Sequence, residues 1–288
     1  MKTSTRESYM ERIENVITYL TNHLDESLDL YRLADEACLS PYHFHRIYLA
    51  LMGETVAETI RRLRLQRAAA NLLTSEVPMT KLATAAGYSS VQAFTRAFRD
   101  TYGIAPATYR KRGGLTAAPN SVAPNFKVES SIQNAKVQHF KPQTVLALTH
   151  RGDYMKIDQT FEKLIIWADR HHLLGPLTRV FGVYHDDPTI TSVSKLRSDA
   201  CITVSTTIPT EGDFHITQTP GGHCAVLSHA GPYTELNNAF NNIYTGWLPG
   251  SGYEPDDQPC FSEHLSNPRI TPPAQLRTLV YMPLKLQQ

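Results

Sequence analysis

The sequence lacks the features that mark a membrane, secreted or metal-binding protein. No run approaches the roughly 20 consecutive apolar residues of a membrane-spanning helix, and the opening MKTSTRESYMER has no apolar signal-peptide core. The four cysteines form no CxxC pair, and the adjacent histidines at 171 and 172 belong to no HExxH motif. We therefore expect a cytoplasmic protein that contacts no membrane and has no disulfide framework, no metal site and no cofactor.

Charge is balanced over the whole chain but unevenly distributed along it. Residues 1–112 contain 15 Lys and Arg against 12 Asp and Glu, whereas the rest of the chain contains 13 against 15. In the first part Arg outnumbers Lys by 12 to 3, and its planar guanidinium suits phosphate and guanine. Residues 113–125 are rich in Gly, Pro, Ser and Asn, which predicts a linker between domains at 1–112 and 126–288.

Apolar residues at spacings of three and four predict that the first domain is all-α. Asp29 is placed to cap a second helix, and Pro41, after Ser40, suits the first turn of a third. One face of this third helix is apolar. The opposite face predicts an exposed surface with Tyr42, His45, Arg46 and Leu49. Two short helices joined by a tight turn, the second presenting such groups, are typical of a helix-turn-helix.

The same unit occurs twice. LATAAGYS at 82–89 matches LADEACLS at 33–40, and the helix that follows each stretch ends at a glycine, Gly53 or Gly103. In the second copy Phe94, Ala97 and Phe98 are predicted to face inward. The outward side then holds Val91, Gln92, Thr95, Arg96 and Arg99. The sequence therefore predicts two helix-turn-helix motifs in one domain.

The segment between the two copies predicts a stiff connector. Residues 54–73 contain no Gly or Pro and keep helical spacing, so they would span about 30 Å. Successive major-groove segments on one face of DNA lie about 34 Å apart, so a monomer could place both motifs on one duplex. The connector arginines, Arg61, Arg62, Arg64 and Arg67, have two open interpretations: phosphate contacts, or a solvated helix face.

The first domain resembles the AraC/XylS family of bacterial transcription regulators. The resemblance covers roughly residues 8–112 and is carried by KLATAAGYSSVQAFTRAFRDTYGIAPATYRKR. It implies binding to double-stranded DNA and, by family alone, recruitment of RNA polymerase. The residues expected to contact DNA, with Arg99 added from its place on the outward face, are Tyr42, His45, Arg46, Val91, Gln92, Thr95, Arg96 and Arg99.

The second domain is predicted to be α+β and built from two pseudo-twofold repeats. LTHRGDY at 148–154 corresponds to LSHAGPY at 227–233, with an offset of 79 residues, and each half closes on an alternating run that suits a strand. A groove between two such halves is a common place for a ligand.

This second domain resembles the GyrI-like small-molecule-binding domain, through HAGPY and WLPGSGY in particular. The resemblance implies an aromatic groove, commonly with a glutamate that suits cationic ligands. The candidate effector-binding residues are Tyr154, Trp167, Tyr184, Tyr233, Trp247 and Phe261. Ser262 stands where relatives have the acidic residue. Because side chains alternate along a strand, Glu263 would point to the other face and could not replace it.

The sequence is compatible with three functions. The leading hypothesis is a transcription regulator, by expectation an activator, that is modulated by a small apolar or aromatic effector and is not an enzyme. One alternative is a hydrolase-like enzyme that uses Glu263 or His264 as a base in the groove. The other is a protein that sequesters a small molecule or binds a partner and touches DNA only incidentally.

Overall fold

Two compact units make up most of the chain, one within Tyr9–Lys127 and the other within Val128–Gln288. The structure is a computed structural model that describes residues 5–26, 29–113, 135–205 and 212–286. Apart from Gly113, the predicted linker at 113–125 lies outside the described residues. Within the described residues, no helix is both long enough and apolar enough to cross a bilayer.

The first unit is helical, as predicted. Its helices are α1 (Thr5–Asn22), α2 (Leu30–Glu36), α3 (Pro41–Met52), α4 (Val56–Thr74), α5 (Met79–Ala85), α6 (Val91–Tyr102) and α7 (Pro106–Arg112). Helices α2 and α3 form the first helix-turn-helix motif, α5 and α6 form the second, and α4 is the connector between them.

Local chemistry fixes the helix ends. The Asp29 side chain accepts a hydrogen bond from the Tyr31 amide at 3.0 Å and caps α2. Thr55 and Glu58 form a reciprocal capping box that starts α4. The ends of α3 and α6 are Gly53 and Gly103, both in the left-handed region that glycine enters without strain.

The turns of the two motifs share one geometry. In the first, the Leu39 amide bonds to the Ala34 carbonyl at 2.9 Å, and in the second the Tyr88 amide bonds to the Ala83 carbonyl at the same distance. Both turns pass through a left-handed residue, which is Gly87 in the second motif but Cys38, with φ +51°, in the first. A side chain is disfavoured in that region, so the first turn is the more strained of the two.

The second unit contains a single sheet with helices packed on it. Its strands are β1 (Lys136–Phe140), β2 (Thr144–Arg151), β3 (Val180–Tyr184), β4 (Arg197–Thr203), β5 (Phe214–Gln218), β6 (Gly222–Ala230), β7 (Cys260–His264) and β8 (Arg277–Pro283). Its helices are α8 (Asp158–Arg170), α9 (Leu236–Asn242), which continues into a π-helical turn at Ile243–Trp247, and α10 (Leu248–Ser251). The predicted multidomain architecture, all-α followed by α+β, is confirmed.

The strand order is β1-β6-β8-β7-β3-β4-β2-β5, and all paired strands are antiparallel. The order reads the same from either end when β1–β4 are exchanged for β5–β8. Two repeats related by a twofold axis would give this order, and β3 and β7 would then meet at the axis. The central pair of strands is therefore the part of the sheet to which both halves contribute equally.

The two faces of the sheet have different cores. We call the side against α8 the helix face, where Leu146, Leu148, Ala200 and Ile202 pack on Leu164 and Ala168. The other side, the aromatic face, contains a cluster that includes Phe140, Phe181, Phe261 and Tyr281. Along each strand the side chains alternate between these faces, so neighbouring residues lie in different environments.

Candidate functional site

Helix α6 presents a polar, partly exposed side away from its core. Phe94 and Phe98 are fully buried against α4 and α5, together with Leu65 and Leu82. The opposite side of α6 borders a shallow surface depression lined by Val91, Gln92, Thr95, Arg96, Arg99 and Asp100. Gln92, Arg96 and Arg99 are exposed, so their donors are free to meet an external partner. This is the arrangement that the helical spacing predicted.

Helix α3 differs from α6 in this respect. Its outer side was predicted to be exposed, but His45 is only 3% exposed and Arg46 only 7%. The Arg46 guanidinium carbon lies 5.3 Å from the centre of the Tyr42 ring. The prediction of an exposed face is therefore wrong. Helical periodicity shows which residues share a face, but whether the folded chain covers that face depends on contacts distant in sequence.

The connector arginines bind the protein itself. Arg67 forms an ion pair with Asp25 at 2.6 Å and also donates to the Ala85 carbonyl at 3.2 Å. Arg64 donates to the Leu24 carbonyl at 2.9 Å and to the Glu26 carbonyl at 3.2 Å. Both side chains are therefore engaged by other parts of the protein and do not project freely into solvent.

The remaining two arginines on α4 are also engaged. Arg62 is paired with Glu54 at 2.5 Å, and Arg61 donates to the Tyr88 hydroxyl at 3.2 Å. A β-carbon at Gly87 would lie 2.7 Å from Arg64 Nη1, so the glycine leaves the space that this guanidinium occupies. Together these contacts join the turn after α1, the connector and the turn between α5 and α6. They fix the placement of the second motif on α4.

The HRGDY and HAGPY motifs build matching turns on the helix face. His150 Nε2 lies 2.9 Å from the Asp153 carbonyl and donates to it, while Nδ1 accepts from the Thr160 hydroxyl at 2.9 Å. Gly152 has φ +115°, which favours glycine. The turn places Tyr154 with its hydroxyl 2.9 Å from the Asp186 carbonyl. In the second half Gly231 and Tyr233 repeat this pattern, and the Tyr233 hydroxyl donates to the Ser266 carbonyl at 3.2 Å.

Aromatic rings form an arc that extends from these turns across β3 and β7. Tyr154 lies 5.3 Å from Tyr184, measured between ring centres, and Tyr184 lies 5.5 Å from Phe240. On the other side His264 contacts Tyr233 at 4.7 Å and Phe161 at 5.2 Å. We call this set, with Ser262 at its centre, the helix-face groove: Tyr154, Phe161, Tyr184, Tyr233, Phe240, Ser262 and His264.

Hydrogen bonds link the two halves at the floor of this groove. The fully buried Ser262 hydroxyl lies 3.2 Å from the Tyr184 hydroxyl and 3.2 Å from His264 Nε2. Gly182 pairs directly with Ser262, and a β-carbon there would come within 2.9 Å of the Tyr184 hydroxyl. Burial lowers the pKa of His264 to about 4 and raises the pKa of Tyr184, so both are uncharged at neutral pH.

Glu263 lies on the aromatic face, as strand alternation predicts. Its carboxylate accepts two hydrogen bonds from Arg179, at 2.7 and 2.9 Å, and one from the Tyr281 hydroxyl at 2.9 Å. These bonds raise the pKa of Arg179, and burial beside the carboxylate raises the pKa of Tyr281. Both carboxylate oxygens are occupied and the side chain points away from the groove, so Glu263, one of the two bases that the enzyme alternative named, is not placed to act there.

The six candidate effector residues do not form one cluster. Tyr154, Tyr184 and Tyr233 lie in the helix-face groove, but Phe261 lies on the aromatic face, stacked on Tyr281 with ring centres 4.5 Å apart. Its predicted place in the groove is wrong, because the strand turns it to the other side. Trp167 stacks on His171 and Phe214, and Trp247 stacks on Tyr253.

The six candidate effector residues do not include four other residues of the groove. Phe161 and Phe240 fit ordinary core positions by their spacing, and Ser262 and His264 stand out only as departures from a family pattern. A usable signal exists in the repeat, because Tyr184 and His264 are separated by 80 residues, close to the repeat offset of 79, and end equivalent strands. The internal repeat alone therefore pairs these two positions.

Comparison with known proteins identifies both domains. The model of the GyrI-like small molecule binding domain matches residues 133–285, and the model of a helix-turn-helix domain matches residues 33–112. Regulatory protein SoxS of Salmonella typhimurium is 32% identical over 105 residues, which are 36% of this chain and 98% of SoxS. A DNA gyrase inhibitor of Edwardsiella piscicida is 29% identical over 141 residues, which are 47% of this chain and 89% of that protein.

The chain is also similar to a cryo-EM structure of an EcmrR–DNA complex. The match covers 93% of this chain and 98% of that chain, with 13% identity and a TM-score of 0.48. The two matched family models together span most of the described residues. This chain belongs to the GyrI-like small-molecule-binding domain family, and it joins that domain to an N-terminal helix-turn-helix domain of the AraC type.

Proposed function

We propose that this DNA-binding regulator activates transcription from a specific site, reads that site as a monomer chiefly through α6, and responds to a small aromatic effector. The observation that carries the proposal is the exposed side of α6, where Gln92, Arg96 and Arg99 stand together over a buried aromatic core. Arginine and glutamine are the side chains that pair bidentately with guanine and adenine in the major groove.

The fixed position of α6 on the connector supports sequence-specific reading. Arg64 and Arg67 bind the turn after α1, and Arg61 binds Tyr88 just ahead of α6. A recognition helix held on a rigid support can position its side chains against base edges with little loss of conformational freedom. We also propose that the regulator contacts RNA polymerase and that it is located in the cytoplasm, where it reaches the DNA.

Effector binding is assigned to the helix-face groove. Ligand sites in proteins are mostly apolar and aromatic with a few polar groups, and this groove has five aromatic rings around one hydrogen-bonded chain. The groove engages both halves of the sheet, so an occupant would contact β3 and β7 together. Tyr154, Tyr184 and Tyr233 remain effector-binding candidates, and Trp167, Trp247 and Phe261 are left out of the proposed site.

The test is to select DNA fragments that bind the full chain from a genomic pool and to measure affinity by fluorescence anisotropy. Arg96→Ala should weaken binding to the selected fragment by about 1–3 kcal/mol, which is roughly 5- to 150-fold. Arg170→Ala removes another exposed arginine, from α8 in the second unit, and serves as the matched control. Equal losses in both variants, or no loss in Arg96→Ala, would reject base reading by α6.

A further inference from the structure

The helix-face groove has a polar centre, and none of the described residues that form it is a carboxylate. Glu263 points to the aromatic face and is bound by Arg179, and Glu162 on α8 is ion-paired with Arg269 at 2.5 Å. Glu235, next to Tyr233, is exposed to solvent. An ammonium or phosphonium group buried in the groove would lose its hydration without gaining an opposite charge.

The groove also contains a polar atom that needs a partner. His264 Nε2 is engaged with Ser262, whereas its Nδ1 is buried and has no hydrogen-bond partner among the described residues. Buried polar atoms are nearly always satisfied in folded proteins, so an unsatisfied one indicates a place for a water or a ligand group. The rings of Phe161 and Tyr233 lie edge-on against this imidazole and close the site around it.

The chemistry of Nδ1 selects the ligand group. A neutral imidazole carries one proton, so Nδ1 is either an acceptor or a donor, depending on which nitrogen bonds to Ser262. A hydroxyl group satisfies both cases because it can donate and accept. An ammonium group can only donate, and a hydrocarbon can do neither.

We propose that the helix-face groove takes an uncharged aromatic molecule bearing a hydroxyl group, which bonds to His264 Nδ1 while its rings lie among Phe161, Tyr184 and Tyr233. This inference rests on the proposed effector site and narrows its ligand class. We expect the Tyr233 ring, which packs against His264, to turn aside when the molecule enters. That residue lies in a short 3-10 turn, Tyr233–Glu235, where its hydroxyl is held by a hydrogen bond of 3.2 Å.

Three probes of nearly equal shape test the inference: diphenylmethanol, diphenylmethylammonium and diphenylmethane. Calorimetric titration of the full chain should show diphenylmethanol binding about 3- to 10-fold more tightly than diphenylmethane, the gain of one hydrogen bond. The ammonium should bind at least about 10-fold more weakly than the alcohol. A preference for the ammonium, equal affinity for the alcohol and the hydrocarbon, or no binding of any probe would overturn the inference.

Two variants locate the effect. His264→Phe should bring the affinity for diphenylmethanol down to that for diphenylmethane and leave hydrocarbon binding in place. Ser262→Asp adds a carboxylate at the groove floor and should shift preference toward the ammonium, with Ser262→Glu as a second form if the first fails to fold. Unchanged discrimination in His264→Phe would place the probes elsewhere and overturn the assignment.

These experiments distinguish a wrong ligand class from a wrong proposed function. DNA affinity is measured on the same preparations, with and without Arg96→Ala. If the probes fail while Arg96→Ala still weakens DNA binding, the ligand class is wrong and the regulator proposal stands. If Arg96→Ala leaves DNA affinity unchanged while the three probes bind in the expected order, base reading by α6 is wrong and the ligand class stands.

Discussion

The two helix-turn-helix motifs have the same scaffold and different surfaces. Both bury two aromatic rings at equivalent places, Phe44 and Tyr48 in α3 and Phe94 and Phe98 in α6. Both also turn through a left-handed residue with the same amide-to-carbonyl bond. Yet Arg46 is 7% exposed, whereas its counterpart Arg96 is exposed.

The two motifs therefore share a fold but differ in which of their equivalent side chains are exposed. A side chain that is covered cannot touch DNA, so the contacts expected of His45 and Arg46 require α3 to be uncovered first. The motif at α6 needs no such step. Three pairs of substitutions at equivalent positions and one single substitution compare the two motifs.

The largest effect is expected in the shared cores. Phe44→Ala and Phe94→Ala should each lower the free energy of unfolding by about 3–5 kcal/mol, since both rings are fully buried and each truncation leaves a cavity. Urea denaturation of the full chain, followed by circular dichroism, measures both. Losses that differ by more than about 2 kcal/mol would show that the two motifs are not built equally.

The next effect separates the two arginines. Arg96→Ala should reduce DNA affinity by about 1–3 kcal/mol. Arg46→Ala should leave DNA affinity nearly unchanged and instead lower thermal stability, because its guanidinium and stem are packed near Tyr42. Fluorescence anisotropy measures the DNA affinity of both variants, and thermal melts measure their stability. A loss of DNA affinity in Arg46→Ala as large as that in Arg96→Ala would mean that α3 also reads DNA.

A smaller contrast concerns the helix caps. The Ser90 hydroxyl accepts a hydrogen bond from the Ala93 amide at 3.2 Å, whereas the Ser40 side chain makes no capping bond and is buried without a partner among the described residues. Ser90→Ala should therefore cost about 1 kcal/mol of stability, and Ser40→Ala close to nothing. Chemical denaturation resolves the pair, and equal losses would contradict the different capping of α3 and α6.

The smallest effect is expected in the turns. Cys38 adopts φ +51°, where its equivalent is Gly87. Cys38→Gly should stabilise the chain by less than about 1 kcal/mol, because relief of backbone strain is partly offset by the greater freedom of glycine in the unfolded chain. A small rise in melting temperature is the readout. A fall would show that the Cys38 side chain contributes more than its backbone strain removes.

Local features were predictable from the sequence. Asp29 as a cap, Pro41 in a first turn, and the outward side of α6 all follow from spacing and from the chemistry of helix ends. The opposite directions of Ser262 and Glu263 followed from strand alternation. These features depend on residues within a few positions of one another.

Long-range features were not predictable. The burial of Arg46 depends on what covers α3, and the partners of Arg64 and Arg67 lie about 40 residues away along the chain. Phe261 was grouped with the groove residues because it is aromatic, although strand alternation places it on the same face as Glu263. The groove around Ser262 required the meeting of β3 and β7, whose register no single segment contains.

The arginines in the middle of α4 bind the turn after α1 and the turn before α6, so the rotation of α4 about its own axis is fixed by these contacts. A single residue inserted into the α-helical connector would advance everything beyond it by about 100° and 1.5 Å. The depression on α6 would then face a different azimuth from α3, and the ties from Arg64 and Arg67 to Leu24, Asp25 and Glu26 would no longer meet. The length of α4 thus sets the direction in which α6 faces relative to α3.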